Sequence, residues 1–233
     1  MIGSKVAKLI NILPESLVTY ISKRIINHYL GKYADIRVNG EENLKGIQKP
    51  TIFICNHLSN SDGLVLDKVL KSIDPTFVAG VKLSNDAVTN IGINVIKTTN
   101  IIPNSSDKAG LKKVINLIRD GESVLVFPEG TRSRVGSLIK ARRGILLIAK
   151  MTGVPITPIG LSGTEVLLPI NKDGEMSKEL FNHAKVQLSI GEQFSLPKRA
   201  EEQSKRDYET YLIEFMMKRI ADLLPLEYRG VYK

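Results

Sequence analysis

A chain of 233 residues, 42% of them hydrophobic, can bury one substantial core, and a single α/β domain of this size is ordinary. Its formal net charge of +9 points to an anionic partner: nucleic acid, a membrane surface or a phosphorylated substrate. The single cysteine, Cys55, excludes an internal disulfide framework, and with three histidines no metal-ligand spacing appears, so neither a metal nor another cofactor is expected.

No uninterrupted apolar run approaches the roughly eighteen residues that span a bilayer. Lys8, Asn11 and Pro14 break up the first stretch, which lacks a secretory pattern, so cytoplasmic exposure is expected. Residues 3–31 read as two short amphipathic helices divided at Pro14. Val6, Leu9, Ile10 and Leu13 recur at helical spacing in the first. Leu17, Ile21, Ile25 and Tyr29, joined by Val18, Ile26 and Leu30, line the second. Lys5, Lys8, Lys23 and Arg24 border these stripes. Such a pair suits a lipid interface or packing on a core.

Residues 35–40 alternate and are expected as an edge strand. Residues 51–55 are short, β-branched and preceded by Pro50, the pattern of a buried strand. Cys55 is read there as a small buried hydrophobe rather than a nucleophile. Asn56-His57-Leu58-Ser59-Asn60-Ser61-Asp62 follows at once. Five residues on an α-helix turn through about 140° net, and an odd spacing on a strand splits the two side chains between faces. A turn at Ser59, Asn60 and Ser61 brings His57 and Asp62 together, and Leu64, Val65, Val69 and Leu70 place Asp62 in a helix's first turn. A carboxylate there can hold one imidazole nitrogen and leave the other as a base. The spacing alone also fits a helix-start aspartate beside an ordinary loop histidine.

Further on, strands are expected at 76–80, 96–103, 123–127, 155–161 and 186–190. Helices are expected from Asp62 onward, at 107–119, 143–151 and 206–224. This alternation argues for an α/β domain, a mostly parallel or mixed sheet flanked by helices, preceded by the N-terminal amphipathic pair. The division is drawn as residues 1–33 and residues 34–233. Two chemically loaded stretches leave strands at their C-terminal ends, where open α/β sheets place ligand sites. The second is Phe127-Pro128-Glu129-Gly130-Thr131-Arg132-Ser133-Arg134.

With NHxxxxD at 56–62 and FPEGTR at 127–132, in order and about seventy residues apart, the chain resembles the glycerolipid acyltransferase family, nearest in appearance to bacterial 1-acyl-glycerol-3-phosphate acyltransferases. The resemblance spans roughly residues 34–170. It implies transfer of a fatty acyl group from an acyl-CoA or acyl-carrier-protein thioester to the sn-2 hydroxyl of lysophosphatidate, giving phosphatidic acid. His57 is then the general base and Asp62 its partner, with no acyl-enzyme. Gly160-Leu161-Ser162-Gly163 is one residue short of a serine-hydrolase elbow and offers no rival nucleophile.

The substrate-binding set implied is Glu129, Gly130, Thr131, Arg132, Arg134 and, less regularly placed, Lys82. Arg132 can grip a phosphate by two parallel hydrogen bonds, and Gly130 lets the backbone come close. Glu129 orients or binds the acceptor, or pairs with Arg132. Lys140, Arg142 and Arg143 follow as added charge or as a solvated face. Residues 91–105, where relatives carry a basic residue, offer only Lys97. Residues 154–159 match the family's fourth block, as a pocket wall or a plain core strand.

The resemblance also favours docking of residues 1–33 on an anionic membrane, as a peripheral or monotopic protein of the cytoplasmic face. Competing readings are an acyltransferase for glycerol-3-phosphate or another lysolipid, and a non-catalytic protein that binds anionic membranes. An aromatic content of 6% without tryptophan gives no base-stacking platform, so no nucleic-acid partner is expected.

Overall fold

The computed structural model describes residues 12–80, 95–102, 107–171 and 178–233. Most of the first expected N-terminal helix, Lys82, and residues 91–94 and 103–105 of the middle block lie outside these residues. The second helix is present as α1 (Glu15–Tyr33), and β1 (Ala34–Asn39) follows it directly. Then come β2 (Ile52–Cys55), α2 (Asp62–Val69), β3 (Thr76–Gly80) and β4 (Thr98–Ile101). The chain continues through α3 (Lys108–Arg119), β5 (Val124–Val126), α4 (Gly144–Thr152) and β6 (Ile156–Ser162). It closes with the short α5 (Thr164–Leu167), β7 (Ala184–Ile190) and α6 (Lys205–Ala221).

The seven strands form one sheet in the order β1-β7-β6-β2-β5-β3-β4. β1 is at an edge, as its alternation predicts. β7 runs antiparallel to β6, and every other pairing is parallel. The sheet is therefore mixed and mostly parallel, with helices on its faces.

Alternation along β2 divides the core in two. Ile52 and Ile54 face a cluster with Val114 and Ile118 of α3, Leu146 and Ile148 of α4, and Leu212 and Met216 of α6. Phe53 and Cys55 face the other side, with Ile26 and Leu30 of α1, Leu64, Val65 and Leu66 of α2, and Val186 and Leu188 of β7. All four β2 residues are buried, the signature of a central parallel strand covered on both faces. Filling a site such as Phe53 is worth about 1.5–3 kcal/mol of apolar burial.

Helix α1 packs on this second layer by the Val18, Ile26 and Leu30 side of its expected apolar face. Val18, Ser22, Ile26 and Leu30 are buried at i, i+4 spacing, whereas Ile21, Ile25 and Tyr29 are only half-buried. Leu17 and Tyr20 remain exposed beside the cations Lys23 and Arg24. The helix has more apolar surface than the core accepts. Among the described residues no helix is long and apolar enough to cross a membrane.

Two departures in the middle of the chain concern charge and turns. Lys97 precedes β4 and pairs with Glu122 at 2.8 Å. It stands at the N-terminal edge of the parallel strands, opposite the edge where His57 emerges. Residues 163–167 carry α5, which short-range periodicity does not announce. Gly163 begins it at φ +86°, with the carbonyl oxygen of Lys185 2.0 Å from where a Cβ would stand, so only glycine fits.

Candidate active site

β2 and β5 are parallel neighbours, so their C-terminal ends deliver residues 56–62 and 127–134 to one edge of the sheet. Asn56 is buried and continues the sheet with its side chain. Its Nδ2 donates to the Leu161 carbonyl at 2.7 Å, and its Oδ1 accepts from the Leu161 N–H at 2.8 Å. This bracket fixes the exit of β2 against β6, immediately before His57. Ser59 and Ser61 anchor the following turn. The Ser59 hydroxyl donates to the Leu168 carbonyl at 2.7 Å, and that of Ser61 to the Thr164 carbonyl at 3.4 Å. The turn then passes into α2 with Asp62 as its first residue.

The turn closes the distance that regular structure cannot. His57 Nδ1 lies 2.7 Å from Asp62 Oδ2. The same oxygen accepts the backbone N–H groups of Leu58 at 2.6 Å and Ser59 at 2.9 Å. Asp62 is fully buried, at a helix start where the backbone dipole favours a carboxylate. The helix-start reading and the dyad reading of Asp62 are thus the same geometry. With Nδ1–H donating to the carboxylate, Nε2 carries the lone pair, and the His57 side chain is 21% exposed. Phe127 stacks on the imidazole at a centroid distance of 4.1 Å and 15° between planes, which holds the ring's orientation.

Glu129 is wholly buried and has an internal role. Its Oε1 accepts the His57 backbone N–H at 2.8 Å, and its Oε2 accepts that of Ile139 at 3.1 Å. Burial pushes its carboxyl up to about 8, against the lowering effect of those two hydrogen bonds and with a further rise from the charge of Asp62. The Ser133 N–H returns to the His57 carbonyl at 2.7 Å, so both backbone groups of His57 are held from the second stretch. Burial, with the Asp62 and Glu129 charges adding to it, raises the Cys55 thiol well above its usual range, which fits an inert core residue.

Of the alternatives for Glu129, the ion pair with Arg132 is not formed. Arg132 instead meets Glu179, Nη1 to Oε1 at 3.4 Å, with the arginine side chain 15% and the glutamate 1% exposed. Gly130, Thr131 and Arg134 are exposed around it. Gly130 has φ +69°, a backbone conformation that L side chains rarely adopt. Beside this surface a groove of about 360 Å³ runs past Leu58, Arg134 and Glu165. Lys140, Arg142 and Arg143 are exposed beyond the Arg132 loop, which the chain's last segment straps down. Leu138 N–H donates to the Tyr228 carbonyl at 2.8 Å, and Ala141 N–H to the Tyr232 hydroxyl at 3.2 Å.

The family model described as Acyltransferase matches residues 35–162. This chain belongs to the acyltransferase family. The match encloses both stretches that meet at His57, and β6, which brackets Asn56. The chain is 31% identical over 180 residues to the chloroplastic 1-acyl-sn-glycerol-3-phosphate acyltransferase LPAT1 of Arabidopsis thaliana, covering 72% of this chain and 48% of that protein. It is 27% identical over 177 residues to the 1-acyl-sn-glycerol-3-phosphate acyltransferase of Haemophilus influenzae, covering 74% and 69%. Its fold is similar to the crystal structure of the 1-acyl-sn-glycerophosphate acyltransferase PlsC of Thermotoga maritima, with a TM-score of 0.61, 25% identity and coverage of 90% and 81%. This chain spans about half the length of the chloroplastic relatives it matches.

Sequence reasoning missed three contributors to this candidate site: Asn56, Phe127 as a stacking partner, and Glu179. The first two stand inside the quoted motifs, where their residue types were visible and their partners were not. Glu179 lies beyond the matched span, and nothing local marks it.

Proposed function

We propose that this acyltransferase moves a fatty acyl group from a thioester, acyl-CoA or acyl carrier protein, to the sn-2 hydroxyl of 1-acyl-glycerol-3-phosphate. The observation that carries the chemistry is the 2.7 Å contact between His57 Nδ1 and Asp62 Oδ2, which leaves Nε2 as the base. The acceptor is supported by the activity for which the relatives are named and by an arginine beside an exposed glycine turn.

His57 Nε2 takes the proton of the acceptor hydroxyl while that oxygen bonds to the thioester carbonyl carbon. Asp62 balances the imidazolium as it forms. The tetrahedral intermediate then expels the thiolate, breaking the C–S bond, and the imidazolium returns its proton to the sulfur. The products are 1,2-diacylglycerol 3-phosphate and the free thiol, and no group of the protein is acylated. Base catalysis of this kind is worth about 10²–10⁴-fold, and holding the two substrates in reach supplies much of the remainder. Arg132, flanked by Gly130, Thr131 and Arg134, binds the acceptor's phosphate. Glu129 acts behind it by orienting His57.

The acceptor reaches the site from an anionic membrane of the cytoplasmic face, on which the N-terminal segment docks with Leu17, Tyr20, Lys23 and Arg24 of α1 turned to the lipid. The function is tested by thiol release from an acyl thioester with lysophosphatidate, glycerol-3-phosphate and a neutral lysolipid as acceptors. Release with lysophosphatidate at least ten-fold above the others (about 1.4 kcal/mol) is the expected result. Equal rates with all three reject the acceptor assignment.

A further inference from the structure

Glu179 is a buried carboxylate at the site, and the dyad mechanism does not use it. At 1% side-chain exposure a carboxylate is costly unless its oxygens are satisfied. Three donors supply this. Arg132 Nη1 and the Asn171 backbone N–H each lie 3.4 Å from Oε1, and Asn60 Nδ2 lies 2.5 Å from Oε2. Two of the three come from the site's own loops: Arg132 from the stretch after β5, and Asn60 from the turn between His57 and Asp62. One carboxylate thus joins the arginine to the turn that holds the base.

The geometry of the guanidinium gives this contact a direction. Arginine has five N–H donors in a rigid fork. Glu179 is its one hydrogen-bonding partner among the described residues and engages Nη1 alone. The remaining donors stay available, and the side chain is 15% exposed, enough to be met from the surface. A carboxylate behind such a fork removes rotamer freedom that would otherwise be lost when the ligand binds.

We propose that Glu179 is a positioning residue that holds Arg132 to receive the acceptor's phosphate and, through Asn60, keeps that arginine in register with His57. The proposal rests on the reading of Arg132 as the phosphate ligand. Glu179 sets the site's preference for a phosphorylated acceptor without touching the acceptor itself.

The test is the ratio of kcat/KM for lysophosphatidate to that for monoacylglycerol, measured on the full chain with Arg132→Ala, Glu179→Gln and the double variant. Glu179→Gln keeps the volume, and a flipped Asn60 amide can satisfy the new NH₂, so folding is retained; melting temperature verifies it. The expected result is a ratio lowered at least five-fold by Glu179→Gln, through KM rather than kcat, and lowered no further by adding it to Arg132→Ala. If Arg132→Ala lowers the ratio but Glu179→Gln leaves it unchanged, or the two losses multiply in the double variant, the positioning role is overturned and the phosphate role of Arg132 stands. If Arg132→Ala depresses both acceptors equally, the phosphate reading falls and the proposal falls with it.

Discussion

The backbone N–H of His57 donates to Glu129 Oε1 at 2.8 Å across a separation of 72 residues. The contact joins one residue of each motif, a main-chain N–H on one side and a buried carboxylate on the other. The second motif therefore fixes the position of His57 as well as offering its arginine to the surface. Mutational effects at the two stretches should be coupled for that reason.

Replacing His57 by Ala should remove transfer while leaving the melting temperature nearly unchanged, since the ring contributes to the site and little to the core. Asp62→Asn should lower kcat on the order of 10²–10⁴-fold. Its amide can still accept from Leu58 and Ser59, but it can also settle the imidazole in the wrong tautomer. Purified His57→Ala protein that keeps a tenth of wild-type turnover would disprove the mechanism.

Glu129 gives a pH signature in stability. Its carboxyl is raised to about 8 in the folded chain from an ordinary 4.5, so the native state binds the extra proton between those values. Unfolding free energy should therefore fall as pH rises through that window, by up to about 1.4 kcal/mol per pH unit relative to a variant without the group. Glu129→Gln should be less stable at pH 5, because its NH₂ faces a backbone N–H, and should lack the slope. Urea denaturation of both proteins from pH 5 to 8 decides it; parallel curves would contradict the raised carboxyl.

Asn56→Ala tests the bracket on β6. It leaves the buried N–H and C=O of Leu161 without their partners, at about 1–3 kcal/mol each. Asn56→Asp should be no better, since it can accept from the N–H but presents a second acceptor to the carbonyl. A loss below about 0.5 kcal/mol, the range of an idle surface site, would show the bracket to be dispensable.

Membrane docking is read on α1. Lys23 and Arg24 are exposed beside Leu17 and Tyr20, whereas Val18, Ile26 and Leu30 are needed by the core. The double variant Lys23→Glu, Arg24→Glu should keep its fold and lose on the order of ten-fold in partitioning to anionic vesicles, with a weaker salt dependence. Unchanged sedimentation with those vesicles would place the docking surface elsewhere or remove it.

The chain's local chemistry determined a good deal by itself. Periodicity marked β2 as doubly buried and β1 as an edge strand, and it located α2, α3, α4 and α6 within a few residues. Turn-forming Ser59, Asn60 and Ser61 between a buried strand and an apolar helix made the His57–Asp62 encounter legible, because one short loop contains the whole geometry. Which partners answer across the sheet was decided only by the tertiary structure. The antiparallel course of β7, the pairing of Asn56 with Leu161, the burial of Glu129 against His57 and the choice of Glu179 over Glu129 by Arg132 all depend on strand order. Hydrophobic period and residue type are local signals and do not encode that order. A carboxylate in a motif looks the same whether it faces a substrate or a backbone amide; burial separates the two, and burial belongs to the folded chain.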